Sequence, residues 1–194
     1  MPRLLSATVF PVLALFAVLA SAQDRAQDRK EPPPPLGTAS FTPPEANTKP
    51  QPLTPETFVV RAAVTNMAEI ELSQLALEKS ADAAIRKYAA QLIKDHQAAQ
   101  AKLKSTAAAA KIALPGAVDD EHRMQKEKLA ELVGADFDKQ YVTLMHTGHE
   151  RAQKLLEGAS KSADLDASLK DYATQTLTTV KAHAAEAAKL HAGH

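Results

Sequence analysis

Between Pro55 and His194 the chain contains one further proline, Pro115, and no window in which apolar and polar residues alternate in a sustained way. Proline removes a backbone donor and clashes with the preceding turn, so so long a stretch with only one is free to form long helices. Period-two alternation is the signature of a half-buried strand, and its absence predicts no strand. Alanine is abundant here, which suits closely approaching helices better than a β-sandwich. The chain is therefore predicted to be all-α from residue 55 onward.

Two segments carry the clearest helical periodicity. In the first, Ile85, Ala89, Leu92, Ala99, Leu103, Thr106 and Ala110 mark one narrow seam, with His96 in its middle. The seam runs down a helix of about seven turns. In the second, Leu169, Ala173, Thr176, Val180, Ala187 and Leu190 form a matching seam interrupted by His183. A histidine where another Leu or Ala would fit marks a candidate site.

The N-terminal residues read differently. Arg3, the apolar run Val9–Leu19 and Ala20-Ser21-Ala22 have the pattern of a signal peptide cleaved before Gln23. An uncleaved anchor is the alternative, but the run is short for a span of about 20 residues. Residues 23–54 carry Pro32-Pro33-Pro34-Pro35, Pro43-Pro44, Pro50 and Pro52. They read as a disordered tether with polyproline II bias, serving as a spacer or as a Pro-rich ligand for a partner. The expected location is periplasmic or otherwise extracytoplasmic, with no transmembrane span left after cleavage.

Composition removes several function classes. Lys+Arg and Asp+Glu both total 23, so no bulk charge argues for nucleic acid or an anionic membrane. With no cysteine there are no disulfides and no thiolate metal ligands. Phosphate loops, nucleophile elbows and HExxH are missing too.

Helix boundaries follow from capping chemistry. Thr54-Pro55-Glu56 starts the first helix, which runs to about Lys79 with Phe58, Ala62, Thr65, Leu72 and Ala76 on one stripe, widened by Ile70 and Leu77. Ser80 or Asp82 caps the second, which continues to about Ile112 before Leu114-Pro115-Gly116 breaks it. A short helix from Asp119 to Leu132 ends at Gly134, a third long helix follows from about Ala135, and the fourth runs from about Asp164 to His191.

The chain also repeats itself. Glu71-x-x-Gln74-x-x-Leu77-Glu78 matches Glu150-x-x-Gln153-x-x-Leu156-Glu157, and Lys79-Ser80-Ala81-Asp82 matches Lys161-Ser162-Ala163-Asp164. His96-x-Ala98-x-x-Ala101-Lys102-Leu103 matches His183-x-Ala185-x-x-Ala188-Lys189-Leu190. Three matches in one order indicate a duplicated helical hairpin. Two hairpins joined by a long connection, Ala113 to Gly134, predict a ferritin-like four-helix bundle rather than a simple up-and-down one. Its pseudo-twofold axis would bring His96 and His183 together.

Two further residues face inward on this reading. Glu69 falls on the first helix's stripe, and His149 lies on a flank with Val142, Met145 and Leu156. Glu69, His96, His149 and His183 at one level could bind one divalent transition metal, with zinc, iron and copper all admissible. The same residues could equally form a buried polar layer that fixes helix register. A di-iron centre of the ferritin kind needs Glu-x-x-His on two helices, but Ile93 and Val180 stand where those carboxylates would be. His146 is read as pointing to the polar side, His122 as solvated, and His191 and His194 as part of a fraying tail.

From Phe58 to Leu190 the chain resembles a bacterial family of exported domains of unknown function, DUF4142, often labelled predicted outer membrane proteins and grouped with the ferritin-like bundles. The resemblance is carried by Met67-Ala68-Glu69-Ile70-Glu71-Leu72, Leu75-Ala76-Leu77-Glu78, Asp95-His96, Leu114-Pro115, Phe137-Asp138-x-x-Tyr141, His149-Glu150 and His183. It implies a ferritin-like bundle and an envelope location, and no settled activity.

The functional expectation is an exported binding or stress-related envelope module, with no catalytic residues assigned. Its rival is a metal-binding protein or metal-dependent oxidoreductase using the His/Glu cluster. The partners left open are an envelope protein and a second copy of the chain.

Overall fold

The computed structural model describes residues 52–194. The segment expected to be a signal peptide (1–22) and the expected tether up to residue 51 lie outside the described residues. The remainder forms α1 (Pro55–Lys79), α2 (Ala83–Ala109), α3 (Asp120–Glu131), α4 (Gly134–Lys161) and α5 (Ala167–Gly193), and no strand occurs among the described residues.

Capping sets where these helices begin. The Thr54 hydroxyl accepts from the Thr57 amide, and the Thr57 hydroxyl accepts from the Thr54 amide. That reciprocal pair, with Pro55 in the first turn, starts α1 where the sequence places it. Asp82, not Ser80, caps α2 by accepting from the amides of Ala84 and Ile85 at 2.7 and 2.9 Å.

The ends differ from expectation in two places. α2 stops at Ala109 rather than about Ile112, because Lys111 turns left-handed (φ 60°) and the Ile112 amide reaches back to the Ala107 carbonyl at 2.9 Å. This six-to-one bond is the Schellman closure, here with lysine where glycine is usual. α5 begins at Ala167, capped by Asp166, not near Asp164. The two hairpin loops are therefore unequal despite their similar tips, and Leu165, 3% exposed, anchors the longer one in the core.

Cross-helix contacts define the topology. Ser73 meets Tyr141 at 3.1 Å and Glu69 meets His149 at 3.1 Å, so α1 and α4 run antiparallel. Asp95 meets His183 at 2.9 Å and Lys102 meets Gln175, so α2 and α5 run antiparallel as well. α3 returns along the outside, with Glu121 near Arg151, Lys126 on Glu71 at 2.9 Å, and the Ala130 carbonyl on Lys79. It thus carries the chain from the end of α2 back to the Lys79 end, where α4 starts. Gly134 makes that corner with φ 57°, a conformation side chains resist. This is the ferritin-like connectivity: two antiparallel hairpins joined by a crossover along the bundle.

One apolar cluster fills the half of the bundle around Phe58, Leu103, Leu156, Leu169 and Tyr172. Buried Ile85, Leu92, Phe137, Tyr141 and Met145 occupy the other half. The stripe of α1 is widened by Val59 and Ala63 rather than by half-buried Ile70 and Leu77. No helix among the described residues is long and apolar enough to cross a membrane.

Candidate functional site

A layer of polar side chains lies between the two apolar halves. On α1, Asn66, Glu69 and Ser73 are spaced by three and four residues on the buried face, each at most 4% exposed. α2 contributes His96, α4 His149 and α5 His183, which are 3%, 0% and 5% exposed. The structure thus brings together all four residues singled out in the sequence, one from each long helix.

The three imidazoles form a nearly equilateral triangle. Their centroids are 5.8 Å apart for His96–His149, 5.4 Å for His96–His183 and 5.3 Å for His149–His183. One ligating nitrogen from each ring lies within 4.8 Å of the others. The Glu69 Oε2 oxygen sits against this triangle, 2.7 Å from His96 Nε2 and 3.1 Å from His149 Nε2. Close as they are, neither ring nitrogen aims at that oxygen, so neither approach is an aligned hydrogen bond.

Each ring is oriented by its other nitrogen. His149 Nδ1–H donates to the Met145 carbonyl at 2.7 Å, and His183 Nε2–H donates to Asp95 Oδ2 at 2.9 Å. A carbonyl and a carboxylate can only accept, so both tautomers are fixed. Asn66 fixes the third. Its amide nitrogen donates to Gln100 Oε1 and the Tyr172 hydroxyl, which turns Oδ1 toward His96 Nδ1 at 3.0 Å. The remaining nitrogens, His96 Nε2, His149 Nε2 and His183 Nδ1, are buried without a hydrogen-bond partner, as are both oxygens of Glu69.

Charge in this layer is strongly coupled. Burial works to raise the Glu69 pKa, but His149 and His96, and more weakly His183, hold it down at about 2. Burial pulls His96 down, yet Glu69 and Asp95 raise it above its usual value. His183 moves the other way: burial lowers it, His96 and His149 add repulsion, and the Asp95 bond does not compensate. Tyr88 closes the layer from α2, its hydroxyl donating to the His183 carbonyl at 3.2 Å. Burial first, and Glu69 second, push its pKa well above the usual phenol.

The internal duplication accounts for room at the centre. Matching Glu71 with Glu150 and Gln74 with Gln153 sets Glu69 against Gly148 and Ile70 against His149. A Cβ at Gly148 would lie 3.6 Å from Glu69 Oε1. The carboxylate of one half therefore packs where its counterpart has no side chain.

Sequence reasoning missed Asn66 as a ring-orienting residue and gave Asp95 only a place in the family resemblance. The Asn66–Glu69–Ser73 spacing, a polar line on an apolar stripe, was the available signal. Elsewhere, half-buried His146 stacks on His191 with centroids 5.3 Å apart and lies 3.8 Å from Glu150, away from the triangle. His122 bonds its own cap residue Asp119 at 2.6 Å, and α5 stays helical through Gly193 instead of fraying.

Comparison with known proteins bears on the fold and the family. A DUF305 fragment from Deinococcus radiodurans superimposes with a TM-score of 0.64 at 16% identity, covering 74% of this chain and 100% of that one. At that identity the likeness is one of fold. No curated protein matches the chain. The family described as a domain of unknown function (DUF4142) matches residues 40–190, and the chain belongs to that family.

Proposed function

We propose that this domain binds one divalent first-row transition metal ion between its four long helices, through Glu69, His96, His149 and His183. One observation carries the reading. One nitrogen from each of the three rings lies within 4.8 Å of the others, two of them against Glu69 Oε2 at 2.7 and 3.1 Å, while every other nitrogen of the three rings is held by an oxygen. A polar layer whose only task is helix register has no need to gather three imidazoles around one carboxylate, since a single buried pair would satisfy its groups. Here the hydrogen bonds orient the rings and leave one nitrogen of each within 4.8 Å of the other two.

Outer-shell acceptors that fix the tautomer of a ligating histidine are the usual companions of a metal site. Asn66, the Met145 carbonyl and Asp95 fill that role. Three imidazoles and a carboxylate form a donor set suited to zinc, iron or copper. A dication would also balance the two carboxylates, Glu69 and Asp95, without needing a proton on His96.

We place the protein outside the cytoplasm, on the sequence reading of residues 1–22 as a signal peptide and 23–54 as a tether. The test is elemental analysis of untagged protein after exposure to each metal and removal of excess. The reading expects one metal per chain, lost in a His96→Ala/His183→Ala double variant that remains helical. Stoichiometric metal retained by that variant, or no metal in the parent chain, refutes it.

A further inference from the structure

We infer that the α2–α5 face holds an access window to this centre, and that the window admits a small monoanion able to ligate the bound metal. This rests on the metal reading above. Asp95–His183 (2.9 Å) and Lys102–Gln175 clasp α2 to α5 at two levels. Seven residues of α2 separate the clasps, a span of about 10 Å. Between them α2 presents only Ala98 and Ala99, too small to close the gap, and a cavity of 220 Å³ results.

His96 and His183, both ligands, line its inner wall. Cavity and centre are therefore separated by nothing larger than the ligands themselves. Across from the alanines, α5 lines the window with Thr176, whose side chain bonds Tyr172, and Thr179.

Charge selects the occupant. A dication with Glu69 and Asp95 sums to neutrality, which leaves the Lys102 ammonium as the uncompensated charge lining the window. The Asp95 Oδ2 oxygen that faces His183 is engaged by that ring and by Gln91 at 2.7 Å. A single negative charge thus meets the Lys102 ammonium and Thr179 on entry and a Lewis acid at the inner end. Four protein ligands leave room for expansion to five-coordination, as zinc-type sites permit.

The full chain loaded with Co(II) and titrated with azide tests this. Azide should change the visible cobalt spectrum saturably. Ala99→Leu, which fills the window from a residue that ligates nothing, should weaken azide at least tenfold while cobalt uptake stays stoichiometric. Lys102→Gln should weaken it several-fold. Thr179→Val should do the same, and it serves as a second variant should Ala99→Leu perturb the helix pair. Cobalt uptake with a spectrum indifferent to azide overturns the window and leaves the metal reading standing. Azide binding unchanged in every variant also overturns it. Failure to take up cobalt overturns both.

Discussion

Replacing Glu69 by glutamine tests the electrostatics of the site in the metal-free protein. The change keeps shape and removes charge. Glu69 moves from an ordinary 4.5 to about 2 on folding, and one pKa unit corresponds to about 1.4 kcal/mol. Burial alone would have shifted it upward, so the neighbouring imidazoles more than offset that cost. The folded-state pKa lies below the unfolded one. The resulting stability, about 3 kcal/mol, is therefore present above pH 4.5 while His96 keeps its proton, and it is lost both as pH falls through 2 and as pH rises through the raised His96 pKa. It is shared with His96, whose raised pKa reflects the same pair, and must not be counted twice. Urea unfolding followed by circular dichroism, with chelator present, should show Glu69→Gln about 3 kcal/mol less stable at pH 5, where the His96 imidazole is charged. At pH 3 the difference should shrink to less than half of that. Equal stability of the two proteins at pH 5, or a gap that does not narrow with further acid, would refute the coupling.

Four further outcomes follow from named contacts. Asp95→Ala and Asn66→Ala each remove an outer-shell acceptor and no ligand, so each should weaken metal binding roughly 10–100-fold, as read by competition with a chelator. Metal binding must displace the His96 proton, which its neighbours hold above the ordinary imidazole range. Affinity should therefore keep rising with pH beyond 6.5, and a plateau below pH 6 would contradict this. Lys111→Gly relieves a left-handed lysine and should add about 1 kcal/mol, seen as a Tm a few degrees higher. Gly148→Ala places a methyl 3.6 Å from Glu69 Oε1, an ordinary contact. It should be tolerated with a helix-propensity gain of about 1 kcal/mol, and a drop in Tm would show that the space beside the carboxylate is needed.

Much of the fold was legible because the chain states it locally. Thr54-Pro55 and Gly134 act through their own backbone geometry, and the seams of α2 and α5 follow from period alone. What was not legible depends on tertiary context. Nothing near Lys111 announces a left-handed closure, since glycine, the usual signal, is absent there. Asp164 and Asp166 are both acceptable caps, and the burial of Leu165 favours the later one. Within the site, the inward direction of His96 and His183 came from periodicity. The inward direction of His149 needed the flank beside the main stripe of α4, which widens because Val142, Met145 and Leu156 are all buried against neighbours. The hydrogen bonds that orient the rings cannot be read from spacing. Asn66 and His96 sit on different helices, and the turn of one amide is set by Gln100 and Tyr172 together.

The duplication explains why the centre should hold one ion and not two. A dinuclear site of the ferritin kind draws carboxylates from both halves of the bundle. Here the α2 and α5 positions that would supply them are Ile93 and Val180, and the α4 counterpart of Glu69 is Gly148. Symmetry survives in His96 and His183, while the acidic contribution has become one-sided. Two carboxylates at the pseudo-axis would repel at close range and need a second cation or a shared proton. With a glycine opposite, Glu69 Oε1 occupies the vacated space and Oε2 reaches two imidazoles. His149 stands one position beyond Gly148, where the first half has Ile70, and so supplies the third nitrogen. A glycine opposite Glu69 and a ring opposite Ile70 together make the arrangement asymmetric, with three histidines and one carboxylate.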